Sequence, residues 1–194
     1  MAAAGDRDHT DVTFDPAAMF AALNAHDVQY VVIGGMGARY QGSDLLTEDV
    51  DITPELGPAN LDRLANALVT LEAKMLDPDG EPIDLPEPRI EPELMMRMRS
   101  FRTTTRHGVL DVSLHPDGTE GFPDLVRRAV YIVVDAVAAP VADLRDIIRS
   151  KDAAGRDKDL AVLPHLERVL ARQQRERATR EIRLPVDPAR YIGD

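Results

Sequence analysis

Apolar positions recur along the chain at two spacings, one near 3.6 residues and one of 2, and the changes from one to the other divide it into elements. Asp15 followed by Pro16 has the form of a helix N-cap with proline at the first helical position. Met19, Phe20 and Leu23 then share one face, which predicts a first helix. The β-branched run VQYVVI predicts a strand that Gly34 and Gly35 end, and MGARYQ predicts a short helix closed by Gly42. LLTEDVDITP reads as a second strand, with Leu46, Val50 and Ile52 apolar and Pro54 at its close. Asn60 is placed to cap the helix LDRLANALVTLEAKM, whose Leu61, Leu64, Leu68 and Leu71 form one stripe.

The acidic, proline-rich stretch LDPDGEPIDLPEPRIEPE is expected to be mostly irregular, and PELMMRMR to give a helical turn. SFRTTTR and VLDVSLHP flank His107 and Gly108 as a β-hairpin. A short helix over Phe122 to Arg128 and a strand over Val130 to Val137 follow. Pro140 is then expected to open a helical region that breaks near Pro164 and runs to about Glu181. This order predicts an α/β (α+β) fold, a small mixed sheet with a C-terminal helical lobe. The expected division is a core with its N-terminal helix over residues 1–139 and a helical segment over 140–194 packed on it.

Composition narrows the function classes. With 194 residues and 44% apolar content the chain can bury a substantial core. The absence of Cys excludes disulfides, thiolate metal sites and cysteine nucleophiles, and fits cytoplasmic residence. The acidic start MAAAGDRDHTD has no cationic segment leading into an apolar one, so a flexible tail is expected there rather than a secretory signal. The longest apolar region, AVYIVVDAVAAPVADL, is interrupted by Asp135 and Pro140 and falls short of the ~20 residues of a bilayer span, so no membrane partner is expected. Aromatic residues, at 4% with no Trp, leave little material for base stacking. The net charge of −11 is unevenly spread: residues 1–144 hold 25 acids against 11 bases, whereas residues 145–183 hold 11 bases against 7 acids. A basic C-terminal segment can therefore engage phosphate even in an acidic protein.

The candidate chemistry lies in three acids. In a strand, residues i and i+2 share a face, so Asp49 and Asp51 project side by side, and their repulsion calls for a proton or a cation. Carboxylate oxygens suit Mg²⁺, which uses one or two protein carboxylates completed by substrate phosphates and water. An isolated Asp-x-Asp is more often a solvated strand face than a site. The third acid changes that balance, because Asp111 also sits in the middle of an apolar strand, GVLDVSL. Gly34 and Gly35 end a strand and also allow the backbone to come close to a phosphate. No GKS or GKT follows them, so this is not a Walker loop. Further on, Arg145, Arg149, Lys151, Arg156 and Lys158 cluster within a short span that suits a triphosphate or a nucleic-acid backbone, although each one alone reads as a solvated helix residue.

Gly34, Gly35 and Gly42, then Thr47, Asp49 and Asp51 in TEDVDI, with Asp111 in a later strand, resemble the polymerase-β-type nucleotidyltransferase superfamily. The segment KDAAGRDKDLAVL from Lys151 to Leu163 resembles the one that follows the catalytic core in the AbiEii and MenT branch of bacterial toxins. The resemblance covers roughly Tyr30 to Leu163 and implies metal-dependent transfer of a nucleoside monophosphate from an NTP. By position it implies that Asp49, Asp51 and Asp111 bind Mg²⁺, with Asp111 helping to activate the acceptor hydroxyl. Gly34 and Gly35 would cradle the triphosphate, with Thr47 nearby, Lys151 and Arg156 on its phosphates and Asp159 holding the lysine. In the toxin branch the acceptor is the 3′ end of tRNA, pyrimidines are transferred in the mycobacterial examples, and a cognate antitoxin is the expected partner. Arg97, Arg99, Arg102 and Arg106 are expected to line the RNA path, Arg102 and Arg106 on one strand face. Two alternatives stay open: the same site acting on a small hydroxylated molecule such as an aminoglycoside or on a protein side chain, and an inactive binding or antitoxin module.

Overall fold

The computed structural model describes residues 13–85 and 89–183, without the side chains of 180–183; the expected N-terminal tail lies outside the described residues. Asp15 caps α1 (Pro16–Ala25) as anticipated, accepting from the Ala18 N–H at 2.9 Å, with Pro16 in the first turn. Strand β1 (Tyr30–Ile33) runs directly into α2 (Gly34–Tyr40), followed by β2 (Asp49–Pro54), which is shorter than the apolar pattern implied.

Helix α3 (Pro58–Thr70) begins with Gly57 at its N-cap, so Asn60 is not the cap. Asn60 is buried in the first turn, where its Nδ2 donates to the Gln29 and Glu55 carbonyls and its Oδ1 accepts from the Gln29 N–H. The side chain therefore pins α3 to the entry of β1, because a buried amide must satisfy both its ends. Leu61, Leu64, Leu68 and Leu71 are all buried, as their spacing required. The helix stops at Thr70 because Glu72 adopts a positive φ of 55°, and the chain then forms β3 (Lys74–Met75). A single turn α4 (Pro92–Met95) leads into the hairpin of β4 (Ser100–Thr105) and β5 (Gly108–Ser113).

Beyond α5 (Phe122–Leu125) the structure corrects the expected single strand and the helix opening at Pro140. The segment is a second hairpin, β6 (Val130–Val134) and β7 (Val137–Val141), and Pro140 lies inside β7 opposite Tyr131. Helix α6 (Leu144–Ala154) starts only after Asp143, whose side chain caps it, so β7 crosses the expected junction at residue 139. The interruption expected at Pro164 falls instead at Gly155, which takes the left-handed conformation (φ 62°) that ends α6. Helix α7 (Asp157–Arg183) carries Pro164 within it.

Among the described residues seven strands form one mixed sheet in the order β3-β4-β5-β2-β1-β7-β6, in which β2 with β5 and β1 with β7 are the parallel pairs. One face packs on α1 and α3: Val50, Ile52, Leu110 and Val112 point there with Leu64, Leu68 and Phe20. The opposite face is covered in part by α2, α6 and α7 through Ala38, Ile147, Leu166 and Val169. The alternation of β2 and β5 therefore sends Asp49, Asp51 and Asp111 to the second face. Among the described residues no helix is long and apolar enough to cross a membrane.

Candidate active site

Asp51 and Asp111 are cross-strand partners in the parallel β2–β5 ladder, and Asp49 lies two residues back on the same face. In the antiparallel ladder on the other side Asp51 faces Ile33, the last residue of β1, so the turn at Gly34 closes over its carboxylate. Gly34 has φ 61°, and a Cβ there would lie 1.9 Å from Asp51 Oδ2. A Cβ on Gly35 would lie 2.8 Å from Thr47 Oγ1, and that hydroxyl donates to Asp49 Oδ1 at 2.6 Å. Both glycines thus give up their side-chain space to the carboxylates and to the group that holds one of them. Thr47 acts through Asp49.

Three acids gathered on one face are electrostatically expensive. Burial first, and then the charge of Asp49, push Asp51 up to about 6, against the opposing influence of Lys151, the nearby Gly35 amide and Lys158. Burial first, and then the charge of Asp51, push Asp111 up to about 7, with Arg102 opposing. Asp111 Oδ1 is buried without a hydrogen-bond partner. The nearest described cation is Arg102 of β4, directly opposite Asp111 in the hairpin register: its Nε is 3.5 Å from Asp111 Oδ1 and its Nη2 3.5 Å from Asp49 Oδ2. Arg102, expected on an RNA path, is thus the counter-ion of Asp49 and Asp111.

Magnesium fits this donor set. Hard carboxylate oxygens, partly buried and crowded together on one face, and a buried oxygen with no partner are what an oxygen-seeking divalent cation would satisfy. Among the described residues no three acidic or histidine side chains are gathered closely enough to hold an ion as they stand. Asp49, Asp51 and Asp111 would therefore share it with substrate oxygens and water, as Mg²⁺ commonly allows.

These shifts carry a stability consequence. Because both folded-state values lie above the unfolded carboxylate range, the folded protein binds more protons than the unfolded chain between about pH 4 and 7. Stability of the metal-free protein is therefore expected to fall as pH rises through that window and to level off above it, Asp51 alone accounting for on the order of 3 kcal/mol. Chemical denaturation at pH 5 and pH 8 checks this, and Asp51→Asn should flatten the slope.

The carboxylates stand on the wall of a cleft of about 1150 Å³ whose facing side is supplied by the end of α6 and the start of α7. The basic cluster divides there. Arg145 pairs with Asp143, and Arg149 pairs with Asp124 and Asp146, away from the carboxylates. Lys151, Arg156 and Lys158 line the cleft. Buried Asp159 accepts from Lys151 Nζ at 2.8 Å and from Arg156 Nε, one anion fixing two cations. Its burial alone would raise the carboxyl, but these hydrogen bonds outweigh burial and hold it below the usual range. Of the hairpin arginines, Arg99 and Arg102 line the cleft; Arg97 and Arg106 do not, and Arg106 lies in the turn, paired with Glu72. Sequence reasoning passed over His115 and Asp117 on the same rim. The step of two from Asp111 through Ser113 to His115 was the available signal.

No protein-family model matches the chain, and no curated protein matches its sequence. Among solved structures, the lincosamide antibiotic adenylyltransferase LnuA, bound to lincomycin, superposes with a TM-score of 0.50 at 11% identity, covering 81% of this chain and 99% of that one. The antibiotic-resistance factor ANT(2'')-Ia gives 0.48 at 10% identity, covering 85% and 94%. At this identity the likeness to LnuA is one of fold: the mixed sheet and its C-terminal helices have the nucleotidyltransferase architecture.

Proposed function

We propose that this chain transfers a nucleoside monophosphate from an NTP to an acceptor hydroxyl and releases pyrophosphate. The observation that supports it most is the meeting of Asp49, Asp51 and Asp111 on one cleft wall beneath the Gly34 turn, opposite Lys151 and Arg156. When bound, Mg²⁺ would neutralise charge on the phosphates and on the attacking and leaving oxygens. The chain's own residues do the rest. Asp49 and Asp51 supply carboxylate ligands, Thr47 orients Asp49, and the Gly34–Gly35 backbone lies where it can border the triphosphate. Asp111, across from Asp51 in the β2–β5 ladder, would complete the ligands and stand beside the acceptor hydroxyl whose proton is lost. Lys151 and Arg156, steadied by Asp159, bind phosphate oxygens.

Lys151→Ala is expected to raise the Michaelis constant for NTP about tenfold with a smaller change in kcat, since it removes a charged contact present before and during transfer. Steady-state kinetics at varied NTP checks this.

Two acceptors are compatible with the site. The AbiEii and MenT resemblance, together with exposed Arg168, Arg175 and Arg177 on α7, supports the 3′ end of tRNA, hence a growth-arresting toxin restrained by an antitoxin. Asp77 and Asp117 on the rim, in a protein of net charge −11, instead favour a cationic, hydroxylated small molecule. LnuA, the neighbour bound to lincomycin, adds weight to this second reading. One experiment separates them: the protein, Mg²⁺ and each radiolabelled NTP are incubated with total RNA or with a panel of aminoglycosides and lincosamides. Label on RNA of tRNA size supports the toxin, and label on a small product supports the modifying enzyme. No labelled product, with no NTP binding by calorimetry, would refute the transferase.

A further inference from the structure

We infer that Arg102 is a built-in competitor for the divalent cation, a guanidinium that occupies the carboxylate pair in the metal-free protein and must leave before an ion can bind. The inference rests on the proposed metal-dependent transfer and concerns its regulation. The hairpin register fixes Arg102 directly across from Asp111, and its side chain reaches over that strand to Asp49, so a single cation touches two of the three acids. Its nitrogens stand 3.5 Å from each carboxylate, longer than a charge-assisted hydrogen bond, and Asp111 Oδ1 gains no hydrogen bond from it. Half of the Arg102 side chain is exposed. Loose, half-exposed ion pairs are weak. They can be given up at small cost, and the long stem can swing into the open cleft without disturbing the backbone ladder.

The consequence is a threshold. Any divalent ion that takes Asp49 and Asp111 must displace a positive charge, and the guanidinium stays rooted on the cleft wall beside it. An incoming phosphate then gives that charge a new partner, so an ion arriving with nucleotide meets less opposition than one arriving alone. Lys151 and exposed Lys158 act on Asp51, and Lys158 on Asp111, from the α6–α7 side. Lys151 is tied down by Asp159, whereas Arg102 bridges the acids themselves.

The test is Mn²⁺ binding without nucleotide, followed by the electron paramagnetic resonance of the free aqua ion, on wild type, Arg102→Gln and Arg102→Lys, each with and without Asp49→Asn. Arg102→Gln should bind Mn²⁺ about tenfold more tightly than wild type, the scale set by two weak ion pairs. Arg102→Lys should lie closer to wild type, and Asp49→Asn should abolish the gain. Arg102→Gln binding no tighter than wild type, while Asp49→Asn still weakens both, would overturn the role of Arg102 and leave the transfer reading standing. Arg102→Lys binding as tightly as Arg102→Gln would overturn it as well, because positive charge would then not be the cause. Absence of Asp49-dependent Mn²⁺ binding in every variant would overturn this inference together with the transfer reading.

Discussion

Asp51→Asn is expected to reduce nucleotide transfer by on the order of a thousandfold while leaving the protein folded and, at pH 8, more stable in the absence of metal. The two effects have one cause. The carboxylate is pressed against Gly34 beside Asp49 and opposite Asp111, where burial and like charge already drive it toward the protonated form. An amide of the same shape keeps the packing and removes the repulsion, but it gives up the anionic ligand on which the proposed metal-assisted charge neutralisation would depend. Asp49→Ala should fail in the same way. Transfer assays with denaturant unfolding on the same preparation check the pair of effects. Activity within tenfold of wild type would exclude Asp51 from the reaction, and unfolding of both variants would make the acids structural.

Gly34→Ala should be nearly as damaging by a different route. The new methyl group would stand 1.9 Å from Asp51 Oδ2 and 2.4 Å from its Cγ, at a φ of 61° that side chains with a Cβ adopt only at a cost. Asp51 must rotate away, or the turn must open and carry α2 with it. A loss of at least ~100-fold in transfer is expected, with ~1–3 kcal/mol of destabilisation. Kinetics and unfolding measure both. The informative comparison is Gly80→Ala, where a Cβ would meet nothing within 4 Å although φ is 87°, so that backbone strain is kept and the steric clash is removed. If the two variants lost transfer equally, the contact with Asp51 would not be the reason.

What the sequence made legible follows the range of the interactions that set it. The cap at Asp15, the strand ending at Gly34 and the β4–β5 hairpin are dictated by neighbours a few residues away, and each forms as read. The β6–β7 hairpin was hidden because its turn places Ala136, at a positive φ of 69°, after Asp135 where glycine is usual. Pro140 compounded this by resembling a helix start. It is tolerated in β7 because pairing with β1 is confined to Val32 and Val141, leaving that part of the strand nearly an edge. Asp49 and Asp51 were visible as a pair from strand alternation, and Asp111 as a charge placed in an apolar strand. That Asp51 stands beside Asp111, and that Arg102 rather than Arg106 reaches them, depends on register between strands far apart in sequence, which no local pattern encodes.

The ladder between β2 and β5 has an evolutionary corollary. The long excursion that separates these neighbours contributes Leu76, Asp77, Ile83, Met98 and Arg99 to the outer rim of the cleft, but none of the three aspartates. Insertions or rewording along that excursion would redraw what the rim accepts while the sheet keeps the acids where they are. On the transferase reading proposed above, descendants of such a chain could change the molecule they modify without having to reinvent how they modify it.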